Sequence, residues 1–115
     1  MKIININNDV AFKAGSSLQG YMSASYDELV AKFGEPTYKA EKLGDFDKVW
    51  TEWVLEFEVE EDGDTDYIYA TIYDWKESSP EASRTGKQYR WHIGGFSWTA
   101  EDAVGTAFNE EKQYA

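Results

Sequence analysis

Histidine and carboxylate side chains are the groups of this sequence that could perform acid–base chemistry. His92 is the only histidine, so a Ser-His-Asp relay could be built only around it. The strand predicted there puts Trp91 and Ile93 on one face and His92 on the other, which favours an ordinary outward-facing histidine. Paired carboxylates could hydrolyse glycosides, but among twenty-two acidic residues some pair lies close by chance. The sequence therefore predicts that the protein is not an enzyme.

Two short motifs could bind a metal ion or a phosphate, and both depart from the known patterns. Aspartates alternate over 62–66 as calcium ligands do, but tyrosines stand where the EF-hand needs Gly and Glu. A weak divalent-cation site of another kind stays open, and a solvated hairpin tip is the favoured interpretation. Gly94-Gly95 lacks the spacing of a phosphate loop and indicates a β-bulge or tight turn. No catalytic residue, metal or cofactor is predicted.

Acidic residues are concentrated in one part of the chain. Residues 41–81 hold fourteen of the twenty-two acidic and three of the eleven basic residues, and therefore carry the whole net charge of −11. Alternate residues on one face of a strand lie about 6.7 Å apart, so a hairpin here would present a row of carboxylates. This row attracts a basic partner and repels nucleic acid and anionic membranes. It comprises Glu52, Glu56, Glu58, Glu60, Glu61, Asp62, Asp64 and Asp66.

Aromatic residues beside the acidic row supply a second kind of binding group. Besides Trp50, they are Tyr67, Tyr69, Tyr73 and Trp75. Rings surrounded by charged groups are typical of protein-binding hot spots. Two alternatives stay open: the rings are exposed to a partner or second copy, or they are covered by the N-terminal strand or the 77–88 loop. The charge, too, has an alternative role, namely keeping a small protein in solution.

A basic cluster offers a different kind of site. Arg84, Lys87 and Arg90 lie close together in the sequence and could hold phosphates, while the aromatic rings stack on a base. This cluster favours the alternative of a protein that sequesters a nucleotide-type molecule.

The elements that must position these residues are predicted from spacing and capping. Ser25 and Glu28 form a capping box that opens a helix over 26–33. Period-two alternation predicts strands over 49–59 and 67–76, joined by a turn in the polar run 60–66.

A shorter strand over 89–93 follows, and Thr99 is predicted to cap a second helix. Segments 17–23 and 3–6 are candidate N-terminal strands. We expect one α+β domain over 1–115, an antiparallel sheet of three to five strands with two short helices on one face, in the order β-α-β-β-β-α.

Composition narrows the class of protein. A chain of 115 residues that is 42% hydrophobic can bury a core, and the absence of cysteine removes disulfides and thiolate zinc sites. The sequence contains no apolar run of membrane-spanning length, and its start lacks the apolar core of a signal peptide. A cytoplasmic location is therefore expected.

Three stretches together resemble a family. The stretches 26–36 (YDELVAKFGEP), 70–76 (ATIYDWK) and 91–95 (WHIGG) resemble a group of small, uncharacterised proteins of tailed phages and prophages. The likeness extends over 16–108, while the hairpin at 60–66 is more acidic here and the 77–88 loop is longer. The resemblance implies a phage gene, and small acidic phage proteins often act in host takeover or anti-defence, including anti-CRISPR inhibition.

Together these observations predict a non-enzymatic, phage-type binding protein. We expect a stoichiometric inhibitor that occupies the basic or nucleic-acid-binding groove of a host defence or nucleic-acid-processing protein, in the manner of a DNA mimic. A nucleotide-sequestering protein and a virion assembly protein are the alternatives. An exposed apolar patch on the sheet would also explain a homodimer through sheet faces or edges.

Overall fold

Two long strands form the centre of the sheet. The computed structural model describes residues 1–44 and 47–111. Strands β4 (Thr51–Glu61) and β5 (Asp64–Tyr73) pair along their whole length and are joined by Asp62-Gly63. Both turn residues have positive φ, 52° and 84°, as tight two-residue hairpins require. The strands thus continue through most of the polar run that was predicted to be the turn.

The remaining strands flank this hairpin on both sides. On the β4 side lie β1 (Lys2–Asn7) and β3 (Tyr38–Lys39), and on the β5 side lie β6 (Tyr89–Gly95) and then β2 (Ser17–Ala24). All pairs are antiparallel, so the predicted α+β class is confirmed. The predicted strand count and order were wrong, because the sheet has six strands and two of them precede the first helix.

The first helix, α1 (Tyr26–Phe33), begins as predicted. The Ser25 hydroxyl accepts a hydrogen bond from the Glu28 backbone N–H at 3.1 Å, and the Glu28 carboxylate accepts one from the Ser25 N–H at 2.9 Å. The bond from the Ser25 N–H to the carboxylate, and then the one from the Gln88 side chain, lower the pKa of Glu28. The capping box is therefore confirmed.

Replacing Ser25 with Ala is expected to lower the free energy of unfolding by about 1 kcal/mol, because the Glu28 N–H loses its acceptor. Urea denaturation followed by circular dichroism measures the change. Ser23→Ala, at an exposed position of β2, is the control and should leave the unfolding midpoint unchanged. Equal midpoints for both variants would contradict the role of the cap.

The second helix, α2 (Thr99–Asn109), begins one residue earlier than predicted. Thr99 is its first helical residue and Trp98 occupies the cap position, so the prediction that Thr99 caps the helix was wrong. The Ser97 hydroxyl accepts from the Thr99 N–H at 3.3 Å instead.

Both helices pack on the same face of the sheet and form the core with it. Trp53 and Trp91 meet edge to face at 5.4 Å, and both indoles donate to backbone carbonyls, of Gly34 and Ala24. The core also contains Leu29, Phe33, Leu55, Phe57, Ile72, Ile93, Ala103, Val104 and Ala107. No helix among residues 1–44 and 47–111 is long and apolar enough to cross a membrane.

The two consecutive glycines of β6 are explained by close packing. Gly94 and Gly95 continue the strand, and the irregularity lies opposite them in β2, between Leu18 and Gly20, so the predicted bulge or turn at the glycines was wrong. A Cβ at Gly95 would lie 2.5 Å from the Ala100 Cβ, and one at Gly94 would lie 2.6 Å from a Thr71 hydroxyl. Glycine is required where α2 and β5 approach this strand.

Candidate functional site on the outer face of the sheet

The outer face, opposite the helices, carries a ladder of acidic and tyrosine side chains. Residues directly paired across two antiparallel strands point to the same face. On β4 and β5 these pairs are Glu52 with Tyr73, Glu56 with Tyr69, and Glu58 with Tyr67. We call these three pairs the Glu–Tyr ladder. Its carboxylate residues are half-buried, and they lie in one row as the alternation predicted.

The acidic tip of the hairpin lies beyond the ladder. Glu60 is half-buried and pairs with Thr65, whereas the other acidic tip residues are exposed: Glu61, Asp62, Asp64 and Asp66. The Asp66 carboxylate accepts a hydrogen bond from the Tyr67 N–H at 2.8 Å. Within residues 1–44 and 47–111, no three metal-ligating side chains come together. The tip is thus a solvated concentration of negative charge.

Residues 8–16, which connect β1 to β2, cross the outer face from one edge of the sheet to the other. We call them the crossing segment. The Lys13 N–H donates to the Tyr69 hydroxyl at 3.0 Å, and the Lys13 ammonium lies 5.2 Å from the centroid of the Tyr69 ring and 4.0 Å from the Glu56 carboxylate. The segment leaves Tyr69 only 7% exposed, whereas Tyr67 is 60% and Trp75 41% exposed. Tyr67 and Trp75 are therefore exposed, whereas Tyr69 is covered by the crossing segment and not by the N-terminal strand or the 77–88 loop.

An acidic groove of about 500 Å³ lies on one side of the crossing segment. It brings together several residues that were predicted to bind a partner, with Lys13 at its edge. The predicted residues that line it are Glu56, Glu61, Asp66, Tyr67 and Tyr69.

A smaller aromatic pocket, of about 300 Å³, lies on the other side. The rings of Phe12, Tyr73 and Trp75 line it, and the Glu52 side chain lies among them. Thr71 and Gly94, adjacent across β5 and β6, also line it, together with Ser16, Ser17 and Val49. Glu52, Tyr73 and Trp75 were predicted site residues, and the fold places all three in one cavity.

Glu52 is electrostatically unusual. Burial, and then the nearby negative charge of Asp74, raise the pKa of Glu52 to about 7. Among the described residues, no hydrogen bond or ion pair neutralises this carboxylate. Lys48 and Asp47 line an adjoining groove that shares Glu52 and Trp75 with the pocket. A half-buried carboxylate without a partner marks a candidate binding site.

His92 belongs to an aromatic cluster beside the pocket. Its ring stacks on Tyr73 at 5.4 Å and meets Tyr21 edge to face at 4.9 Å, with Trp75 at 6.3 Å. Nδ1 is buried without a hydrogen-bond partner among the described residues. Burial, followed by the charge of Arg90, lowers the pKa of His92, so the ring is neutral at pH 7. His92 lies on the outer face, as predicted.

The basic residues that were predicted as an alternative phosphate site make contacts within the protein instead. Arg84 donates to the Thr51 hydroxyl at 2.7 Å and to the carbonyls of Ala40 and Trp50 at 2.9 and 2.8 Å. It also pairs with Glu41, and only 11% of its side chain is exposed. Arg84 therefore ties the start of β4 to the 77–88 loop.

The other two basic residues are not joined to Arg84 by any contact among the described residues. The Arg90 guanidinium lies 3.8 Å from the centroid of the Tyr21 ring, on the outer face, and Lys87 is exposed. Trp50 is buried, and its indole donates to the Glu77 carbonyl at 2.9 Å. Neither the basic cluster nor Trp50 extends the aromatic pocket.

Sequence reasoning missed the residues that the crossing segment brings to the site. Phe12 and Lys13 lie in a segment without strand or helix periodicity, and the Lys13 N–H donates to a residue 56 positions away along the chain. An isolated Phe-Lys pair between two strand patterns was the only available signal.

Comparison with family models, with curated proteins and with solved structures finds no match to this chain.

Proposed function

We propose that the protein is a non-enzymatic binding protein whose outer face and acidic hairpin receive a basic segment of a partner protein. The observation that carries the proposal is the Glu–Tyr ladder, because it places half-buried carboxylates and aromatic rings side by side on a face that neither helix covers. Carboxylates steer and orient a basic partner, and the rings supply desolvated contact area.

The arrangement supports binding to a cationic surface in particular. The carboxylates of Glu56, Glu58 and Glu60 alternate along the outer face of β4 toward the acidic hairpin tip, and we call this row and the tip the acidic strip. The segment 41–81 that contains them carries the whole net charge. Such a strip attracts positive charge over about 8–10 Å at physiological ionic strength. Nucleic acid and anionic membranes are disfavoured ligands for the same reason.

The finer proposal is inhibition of a host defence or nucleic-acid-processing protein. Carboxylates on alternate strand positions repeat about every 6.7 Å, and DNA phosphates repeat about every 3.4 Å along one strand. The strip is sparser than DNA but has the same sign of charge and a rigid backbone. The resemblance to phage proteins in the stretches 26–36, 70–76 and 91–95 supports this choice of target.

The alternatives receive less support from the geometry. A nucleotide-sequestering site needs free cationic donors for phosphates, and the guanidinium of Arg84 is engaged by internal acceptors. A virion assembly protein would form a defined oligomer, which sedimentation measures directly.

Removing three charges from the strip is expected to weaken partner binding by about tenfold or more. The variant Glu56→Gln/Glu58→Gln/Glu60→Gln keeps side-chain size, and each ion pair at such a surface contributes about 0.2–1 kcal/mol. Tagged wild-type protein captures its partner from bacterial lysate, and the affinity of the purified pair is then measured by calorimetry at 50 and 300 mM salt.

The matched control is Asp27→Asn/Asp102→Asn/Glu111→Gln, which removes the same charge from exposed positions outside the strip. It should retain nearly the wild-type affinity. If the two variants bind equally well, net charge alone drives association and the proposed surface is wrong.

A further inference from the structure

We propose that the aromatic pocket is a socket for one organic cation, the ammonium or guanidinium end of a lysine or arginine side chain. The identification of the occupant as a side chain of a protein partner rests on the proposed function. The preference for a cation rests on the residues that line the pocket. Phe12, Tyr73 and Trp75 supply aromatic rings, and Glu52 supplies the negative charge. Cations bind over aromatic faces, and a nearby carboxylate strengthens that attraction.

The protein contains an internal example of the same arrangement. The Glu56–Tyr69 pair, the next pair of the Glu–Tyr ladder after Glu52–Tyr73, is covered by Lys13. The Lys13 ammonium lies over the tyrosine ring and beside the carboxylate. The Glu52–Tyr73 pair has the same cross-strand geometry four residues along β4. There the described residues provide no ion pair to the carboxylate, and a cavity occupies the equivalent place. An external side chain would complete this pair as Lys13 completes the other.

The chemistry of the pocket disfavours other ligand classes. Its volume of about 300 Å³ lies at the small end of ligand-binding cavities and accommodates the end of a side chain. Phosphate is repelled by Glu52. A divalent metal ion needs several oxygen ligands, and among residues 1–44 and 47–111 only Glu52 contributes a carboxylate to the pocket.

Binding of a cation is expected to depend on pH, because the socket needs Glu52 ionised. The groups around this carboxylate are Asp74, whose charge opposes ionisation, the phenols Tyr69 and Tyr73, and Asp47 and Lys48 of the adjoining groove. Tyr38 pairs with Glu52 from β3, and His92 stacks on Tyr73 and is neutral at pH 7. Of these, Glu52 titrates near neutrality.

The test uses two small probes, n-butylammonium and n-butylguanidinium chloride, with n-butanol as the uncharged analogue. Binding is followed by two-dimensional NMR through the indole N–H of Trp75, identified with Trp75→Phe. Wild-type protein should bind both cations in the millimolar range and leave n-butanol unbound. Affinity should rise about tenfold between pH 6 and pH 8, since the ionised fraction of a carboxyl with pKa about 7 rises by that factor.

Glu52→Gln should weaken cation binding at pH 8 by at least about tenfold and abolish its pH dependence. Asp102→Asn, at an exposed position of α2 outside both the pocket and the acidic strip, is the matched control and should bind the probes as wild type does. Lys48→Gln tests whether the protein's own lysine competes with the probes for Glu52. This variant should bind the probes as tightly as wild type or more tightly. The inference is overturned if Glu52→Gln binds the probes as tightly as wild type, or if n-butanol binds equally well.

Binding of these variants to the partner protein captured from lysate distinguishes the cation socket from the proposed function. If the Glu52→Gln and Trp75→Phe variants bind that partner normally while the triple strip variant does not, the socket is wrong and the acidic surface stands. If the probes bind the pocket but the strip variant keeps full partner affinity, the socket stands and the proposed function fails.

Discussion

Replacing Glu52 with Gln is expected to stabilise the protein above pH 7, by about 2–3 kcal/mol. Burial and Asp74 raise the pKa of Glu52 to about 7 in the folded protein, from an ordinary value of about 4.5. Each pK unit corresponds to about 1.36 kcal/mol, and partial exposure of the side chain reduces the full value. Glutamine fills the same space without carrying a charge out of water.

The sign of the pH dependence follows from proton binding. Between pH 4.5 and pH 7 the folded protein holds a proton on Glu52 that the unfolded chain has released, so the contribution of Glu52 to stability falls as pH rises. Above pH 7 Glu52 is ionised in both the folded and the unfolded protein, so the loss of stability no longer changes with pH. His92 acts oppositely, because its lowered folded pKa removes stability as pH falls below about 6.5.

Urea unfolding of wild type and Glu52→Gln at pH 5, 6, 7 and 8 measures the effect. The difference between the two proteins cancels the contributions of His92 and other shared groups. It should be smallest at pH 5, at about a quarter of its full value, and should reach nearly its full value by pH 8. A difference that does not change with pH would show that Glu52 is not perturbed in the folded state.

A carboxylate that destabilises the fold at neutral pH is typical of a binding site. Surfaces that bind partners commonly retain charged or exposed groups that reduce stability. Bound cation would favour the ionised form of Glu52, so the free energy lost on folding is recovered on binding. The gain in stability of the Glu52→Gln variant and its loss of cation binding thus have one cause, the burial of this carboxylate.

Local patterns predicted the parts of this protein that depend on local physics. The capping box at Ser25 and Glu28 and the alternation along β4 each arise from neighbouring residues, and both were confirmed. The row of carboxylates on one face followed from the same alternation.

Long-range contacts determined what local patterns could not predict. The two N-terminal strands take opposite edges of the sheet, and their connection crosses the outer face, which no periodicity encodes. As a result Tyr69 is covered and Phe12 lines a pocket. Arg84 and Arg90 are near each other in sequence but engage different parts of the fold, so the predicted basic cluster is dispersed.

Replacing Asp74 with Ala is expected to lower the free energy of unfolding by about 3–5 kcal/mol. Asp74 is fully buried, and its carboxylate accepts hydrogen bonds from the backbone N–H groups of Trp50 and Thr51 at 2.8 and 3.1 Å and from the Ser83 hydroxyl at 2.8 Å. Alanine leaves three buried donors without an acceptor, and each such donor costs about 1–3 kcal/mol. Since small domains are stable by about 5–15 kcal/mol, the loss is a large share of the total.

Two further variants distinguish the loss of the Asp74 hydrogen bonds from a general effect of losing a carboxylate. Ser83→Ala removes one of the three bonds and should cost about 1 kcal/mol, whereas Asp64→Ala at the exposed tip should cost almost nothing. Urea denaturation orders the three variants. A loss below about 1 kcal/mol for Asp74→Ala would contradict the anchoring role.

The same variant should also impair the aromatic pocket while leaving its lining residues intact. Asp74 fixes Trp50 and Thr51 immediately before Glu52, and it directly precedes Trp75, so it sets the spacing between the carboxylate and the indole. Removing its charge lowers the pKa of Glu52, which by itself would favour cation binding at pH 6. We expect the loss of geometry to dominate, and n-butylammonium binding to Asp74→Ala at pH 8 to fall at least tenfold under conditions where the variant is folded. Unchanged binding would mean that the pocket is held by the sheet alone and that Asp74 serves only stability.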